Sequence, residues 1–225
     1  MEDFKEKVSC KIWQTLQGEH EKARGCRSDF KKRLKEAFLD MGQTFCGDLE
    51  PIIGFLDESS LRLDPTRRRV INTPVVKYSE GAGKKRSWTL FGFLSLNGKD
   101  SVMVSEKAKA PDMAAFLELV REENGDGEGK RPILVVLDNA RIHVAGLVKE
   151  KAKALYITRA FLPPYSPDLM PIEFGWKDLK RELSAYLNFD DAVCLAKDTA
   201  LNLFGQRRYS YAKHWICSFI CPRSK

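Results

Sequence analysis

The sequence predicts an α/β protein with a mixed sheet and helices on its faces. Three observations predict it. SWTLFGFLSL from Ser87 and DSVMVSE from Asp100 are strand-like and joined through Asn97-Gly98, a strong hairpin signal, and PIIGFLDESS ahead of them reads as a further antiparallel strand. Beyond residue 110 the pattern changes to alternating helix and strand, as in parallel units covered by helices. PILVVL, residues 132–137, is apolar without interruption after its proline, as expected of a strand with both faces covered.

The elements follow in order. Residues 1–46 read as helical: Phe30, Leu34, Ala37, Phe38 and Met41 recur at three- and four-residue steps, and Gly42 offers a stop. The strand PIIGFLDESS is bounded by Pro51 and a polar cluster, and its apolar run ends in Asp57 and Glu58. A basic stretch, 62–86, precedes the hairpin and has room for a short strand around Val75–Tyr78. PDMAAFLELVREEN starts with proline and places Met113, Phe116, Leu117 and Val120 on one helical face. The strand ending in Asp138 is followed by a helix over ARIHVAGLVKEKAKA, a strand YITRAFL, a proline-rich loop, a helix IEFGWKDLKRELSAYL from about Pro171, and a last helical stretch over Asp190–Phe204.

Composition narrows the function. No apolar run approaches the ~20 residues of a membrane helix, and the polar N-terminus MEDFKEKVSCKIW is not a signal peptide, so a cytoplasmic, nucleoid-associated location is expected. The six cysteines lack the dense spacing of a disulfide scaffold. His214, Cys217 and Cys221 lie at helical spacing, but no fourth ligand is nearby, and they read as a buried face of a terminal helix rather than a zinc site. GAGKKRS mimics a phosphate loop, yet Tyr78 stands where that pattern needs its first glycine. There is no Gly-x-Ser-x-Gly element for a serine hydrolase. The net charge of +7 is unevenly spread: residues 61–90 hold eight Lys/Arg against two acids, whereas 91–140 hold six against nine. Basic regions flanking an acidic middle suit a polyanionic partner, although a charge run is also how a solvated face looks.

The acids carry the chemistry. GFLDES and VVLDNA each end an apolar strand in a carboxylate, and Glu173 opens a helix directly after another strand. If neighbouring strands bring Asp57 and Asp138 together with Glu173, three carboxylates need a counter-charge. Oxygen-only ligands favour Mg²⁺ or Mn²⁺, and two such ions support in-line phosphoryl displacement. The competing reading is that Asp57 and Asp138 are turn or cap residues, since strands end in turns and Asp favours them. Glu58 points to the opposite face of its strand from Asp57, and Asp168 sits in the irregular loop.

FLDES, VVLDNARIH and FLPPYSPDLMPIEFGWKDLK together resemble the DDE transposases of insertion sequences, in the branch related to mariner-type elements. The third segment is the most specific, with a Leu-Pro-Pro-Tyr-Ser-Pro run leading into Pro-Ile-Glu and a helix with a Trp, and 34 residues separate Asp138 from Glu173. The resemblance covers roughly residues 51–190. It implies an RNase H-like, retroviral-integrase-like domain with a five-stranded mixed sheet, and Asp57, Asp138 and Glu173 as catalytic, metal-binding residues for two Mg²⁺ or Mn²⁺ ions. It also implies cleavage of transposon-end DNA and attack of the freed 3′ hydroxyl on target DNA. One departure stands out: where the family has Asn before Pro-Ile-Glu, this chain has Met170.

Expected DNA contacts are Arg67, Arg68, Arg69, Lys84, Lys85, Arg86, His143, Lys177 and Lys180. Expected partners are double-stranded DNA, a second copy of the chain on that DNA, and a separately encoded helix-turn-helix subunit, because residues 1–48 show no basic recognition-helix pattern. The domain reading is a helical N-terminal segment over 1–48, a remnant of or linker to a missing DNA-binding region, the catalytic domain over 49–190, and a C-terminal helical tail over 191–225. Two alternatives stand beside the transposase reading: an inactive or domesticated DNA-binding remnant, and an RNase H-like nuclease without strand transfer.

Overall fold

The computed structural model describes residues 32, 33, 36, 51–62, 87–125, 131–163, 169–183 and 189–215. The basic residues Arg67, Arg68, Arg69, Lys84, Lys85 and Arg86, the strand expected at Val75–Tyr78, Asp168, and the Cys217–Cys221 cluster lie outside the described residues.

Five strands form one sheet in the order β3-β2-β1-β4-β5. They are β1 (Ile52–Arg62), β2 (Ser87–Ser95), β3 (Ser101–Ser105), β4 (Ile133–Leu137) and β5 (Ile157–Phe161). β1 runs antiparallel to β2, and β2 to β3, whereas β1–β4 and β4–β5 are parallel. This is the mixed sheet that the sequence predicts, with the five-stranded, RNase H-like arrangement that the family resemblance implies. The hairpin forms where Asn97-Gly98 signals it, with a loop over 96–100 rather than a two-residue turn. Asn97 is used across the sheet: its Oδ1 accepts the Ile53 N–H at 2.9 Å and its Nδ2 donates to the Pro51 carbonyl at 2.9 Å. Its side chain thus extends the pairing of β1 past the end of β2.

Strand alternation sorts the core into two layers. Phe55, Leu90, Leu94, Leu134, Val136 and Ala160 pack on one face against α3 (Ile172–Leu183) and α4 (Phe189–Trp215). Leu56, Phe91, Phe93, Ile133, Val135 and Leu137 pack on the other against α1 (Ala110–Glu123) and α2 (Gly146–Ala154). The predicted stripe Met113, Phe116, Leu117 and Val120 is the buried face of α1.

Three expectations are corrected. β1 does not end at Asp57 and Glu58. It continues to Arg62, because its ladder with β2 runs on to Arg62↔Ser87, while its ladder with β4 stops at Phe55↔Val136. The segment 140–145 is not helical. It forms turns, and α2 begins at Gly146, because the Asp138 carboxylate accepts the Ala140 N–H at 2.9 Å and the His143 N–H bonds back to the Ala140 carbonyl. The last helix is far longer than Asp190–Phe204. α4 reaches Trp215, and Phe204, Tyr211 and Trp215 belong to the core layer it covers.

Candidate active site

The register of the parallel pair places the two aspartates. Phe55 lies opposite Val136 in this pair; Asp57 follows two residues later on the Phe55 face of β1, and Asp138 follows directly on the end of β4. Asp57 still has β2 beside it, paired with Gly92, but β4 has ended. The sheet therefore opens at the carboxyl end of β4, where β1 runs on beside β2 alone.

Gly92 is what lets a helix reach Asp57. A Cβ there would lie 2.4 Å from the Trp176 ring, so the glycine leaves the space the indole occupies. Trp176 is buried among Ile172, Phe204 and the sheet, and its Nε1–H donates to Asp57 Oδ2 at 3.0 Å. Glu173 lies one turn earlier on α3, at i−3 from Trp176, and so on the same side of the helix. It is exposed, in the first turn, where a carboxylate suits the helix dipole.

The charges report this proximity. Burial, with the negative charges of Glu173, Glu58 and Asp138 added to it, pushes the Asp57 carboxyl from its ordinary 3.8 up to about 7. Asp138 behaves oppositely: a hydrogen bond from His143 holds its carboxyl below the usual range despite partial burial.

His143 departs most from expectation. Proposed as a DNA contact, it is fully buried, which removes it from any DNA surface. Its Nδ1 lies 2.7 Å from Asp138 Oδ1, and its Nε2 lies 2.9 and 3.0 Å from the two Glu58 oxygens. Ionised carboxylates only accept, so each ring nitrogen donates and the ring is cationic. Burial opposes that charge, but the hydrogen bonds to Asp138 and Glu58 outweigh it and push the imidazole up to about 10. Glu58 does face away from Asp57, as strand alternation requires, and it reaches this histidine on the α1/α2 side.

Met170 is also resolved. Its side chain is 3% exposed and belongs to the core layer under α3, while its carbonyl accepts the Glu173 N–H at 3.2 Å. The position thus contributes apolar packing, which suits a thioether, and a backbone acceptor. Lys177 and Lys180 are exposed on α3 four and seven residues after Glu173, on its side of the helix.

Of the acids named from the sequence, Glu173 and Asp138 both lie near enough for their charges to act on Asp57. The sequence reading misses Trp176 as a partner of Asp57 and the Glu58–His143 pair. The i, i+3 spacing of Glu173 and Trp176 was a signal for the first; nothing local to β1 pointed to the second. The donor set is oxygen-only, and Asp57 carries uncompensated negative charge around it, which is the chemistry of a site for a hard divalent cation. Among the described residues no three acidic, His or Cys side chains already converge as ligands. Asp138 is turned to His143 and Asp57 to Trp176.

Comparison with solved structures finds low-identity likenesses. A chain of the simian T-cell lymphotropic virus intasome, solved with the PP2A regulatory subunit B56 gamma, is 18% identical with a TM-score of 0.47, covering 68% of this chain and 49% of that one. The HTLV-2 integrase catalytic core in complex with magnesium is 17% identical with a TM-score of 0.42, covering 64% and 81%. The Mos1 transposase paired-end complex is 14% identical with a TM-score of 0.43, covering 87% and 66%. This chain therefore spans about half of the intasome chain and about two thirds of the Mos1 transposase. Comparison with curated proteins finds no match. The family described as DDE superfamily endonuclease matches residues 53–195, well over half the chain and every candidate acid. The chain belongs to the DDE superfamily of endonucleases.

Proposed function

We propose that this chain is the catalytic subunit of a transposase, cleaving transposon-end DNA and transferring the 3′ hydroxyl end to target DNA. The observation that supports the reading is the Asp57 carboxyl, raised to about 7 by burial and by the nearby negative charges of Glu173, Glu58 and Asp138. Asp57, Asp138 and Glu173 would hold two Mg²⁺ or Mn²⁺ ions. Bound there, such ions activate the attacking oxygen and stabilise the leaving one in an in-line displacement at phosphorus.

The chain's own residues supply orientation and charge. Trp176 fixes the Asp57 carboxylate from the helix side. Glu173 stands at the rim on the first turn of α3, and Lys177 and Lys180 extend from it as exposed cations for the phosphate backbone. Arg67, Arg68, Arg69, Lys84, Lys85 and Arg86 are proposed as further backbone contacts. Water is the nucleophile in the first step and a DNA 3′ hydroxyl in the second. The active form is proposed to be a homodimer on DNA, with a separately encoded helix-turn-helix subunit recognising the ends. Among the described residues no helix is long and apolar enough to cross a membrane, and a cytoplasmic, nucleoid-associated location is proposed.

Labelled DNA carrying the element's ends, incubated with the chain and Mg²⁺ or Mn²⁺ beside an Asp138→Asn variant, tests the reading. Metal-dependent nicking lost in the variant, followed by strand-transfer products, is expected. Nicking without strand transfer would leave an RNase H-like nuclease. Binding without cleavage by the wild-type chain would leave an inactive DNA-binding remnant.

A further inference from the structure

We propose that Glu58 and His143 form a positioning device for the second catalytic acid: Glu58 holds the buried imidazole, and the imidazole aims the Asp138 carboxylate. The inference rests on the catalytic reading above, and concerns residues that touch neither DNA nor reacting atoms.

The geometry supports it at each link. The backbone around Asp138 is already fixed. The Leu162 N–H donates to the Leu137 carbonyl at 2.9 Å, and Asn139 Nδ2 donates to the Leu162 carbonyl at 2.6 Å. Beyond the turn, Arg159 Nη1 donates to the His143 carbonyl at 2.6 Å. What this bracing leaves free is rotation of the Asp138 side chain, which is more than half exposed at its outer end. One of its oxygens, Oδ1, is engaged by the Ala140 N–H at 2.9 Å and by His143 Nδ1 at 2.7 Å, and the same Nδ1 also lies 3.2 Å from the Asp138 carbonyl oxygen. The carboxylate is thereby held through Oδ1 while more than half of the side chain stays exposed.

The imidazole has no freedom of its own. It is fully buried, and its far nitrogen sits between both oxygens of Glu58, at 2.9 and 3.0 Å. Glu58 is fixed by β1, the same strand that carries Asp57 one residue earlier. The two acids of β1 thus act on opposite faces: Asp57 enters the opening directly, and Glu58 reaches Asp138 from behind the sheet through His143. One strand sets the position of both aspartates, so their relative placement is tied to a single rigid element. Supporting groups of this type commonly change metal affinity or activity by about 10–100-fold when removed.

Two pairs of variants in the full chain test the proposal. In H143N the amide nitrogen falls near the place of Nδ1 and keeps a donor for Asp138, whereas in H143Q it falls near that of Nε2 and keeps only Glu58. H143Q is expected to weaken Mn²⁺ binding, read by calorimetry, by about 10–100-fold and to lower kcat for DNA nicking with little change in KM. H143N is expected to lose less of both. The second pair needs no metal. The imidazole Nδ1–H proton resonance of the metal-free chain is expected to be visible in the wild type and in E58Q, whose amide oxygen still accepts from Nε2, and to be lost in E58A. The proposal is overturned if that resonance persists in E58A, or if H143N and H143Q lose Mn²⁺ affinity equally. A wild-type chain that neither binds Mn²⁺ nor nicks DNA would sink the catalytic reading instead, and the proton spectra alone would then decide the positioning claim.

Discussion

Asp57 is the residue on which fold and chemistry compete. Its carboxyl is raised from 3.8 to about 7, so between those values the folded chain holds a proton that the unfolded chain has released. Stability must then fall as pH rises across that window and stay lower above it. In the metal-free chain Asp57→Asn keeps an acceptor for the Trp176 indole and removes the charge. It is expected to flatten this slope and raise stability at pH 8 by roughly 1–3 kcal/mol, since a pKa unit is worth about 1.4 kcal/mol and relaxation takes up part of it. Thermal melts of both proteins from pH 4 to 8 check this, and an unchanged slope would mean that Asp57 is not the group responsible. At this scale the sequence was informative about chemistry and poor about partners. The three acids stood out in the sequence because each follows an apolar run, although Asp57 proves to lie within β1 and not at its end. The burial of His143 was not, because it depends on Glu58, a residue 85 positions away in sequence. Met170 looked like a defect in the loop and is a core residue.

Among the elements, β1 and α3 make the site, and their contact depends on Gly92. Gly92→Ala would put a methyl carbon into the Trp176 ring. Overpacking of this kind costs about 1–3 kcal/mol, and displacement of the indole would also loosen its hydrogen bond to Asp57. Denaturant unfolding should show the loss of stability, and an unaffected midpoint would contradict the close packing of α3 on β2. Element types were legible wherever the apolar pattern was strong, as in the helical stripe of α1 and the unbroken run of β4. Boundaries were not, because they are set by partners: β2 carries β1 five residues past Asp57, and the turn closed by Asp138 and His143 delays α2 to Gly146.

For the whole molecule, α4 is the part whose weight the sequence understated. It packs Phe204 against Trp176, with ring centroids 5.4 Å apart, and Trp215 edge-on against Phe55 at 4.8 Å. Its Arg207 and Tyr211 bond Asp178 of α3, and its Arg208 bonds Asp100 in the β2–β3 loop. The helix thus clamps both ends of the layer that carries Trp176 and Glu173. A chain ending at residue 188 is expected to lose cooperative unfolding and expose apolar surface to dye binding, whereas a sharp, wild-type-like melt would show that α4 is dispensable. Its low amphipathic contrast in sequence follows from this role, since α4 answers to strands, a loop and another helix along one length. The central claim is that Asp57, Asp138 and Glu173 form a single metal-dependent site for DNA cleavage. The most direct measurement is nicking of supercoiled DNA by the chain in Mn²⁺, with D57N, D138N and E173Q each compared with wild type after circular dichroism shows that they fold. Loss of at least about a thousandfold in every variant is predicted, because groups acting as one unit fail together. Retention of near wild-type nicking by any one of the three would contradict the shared site.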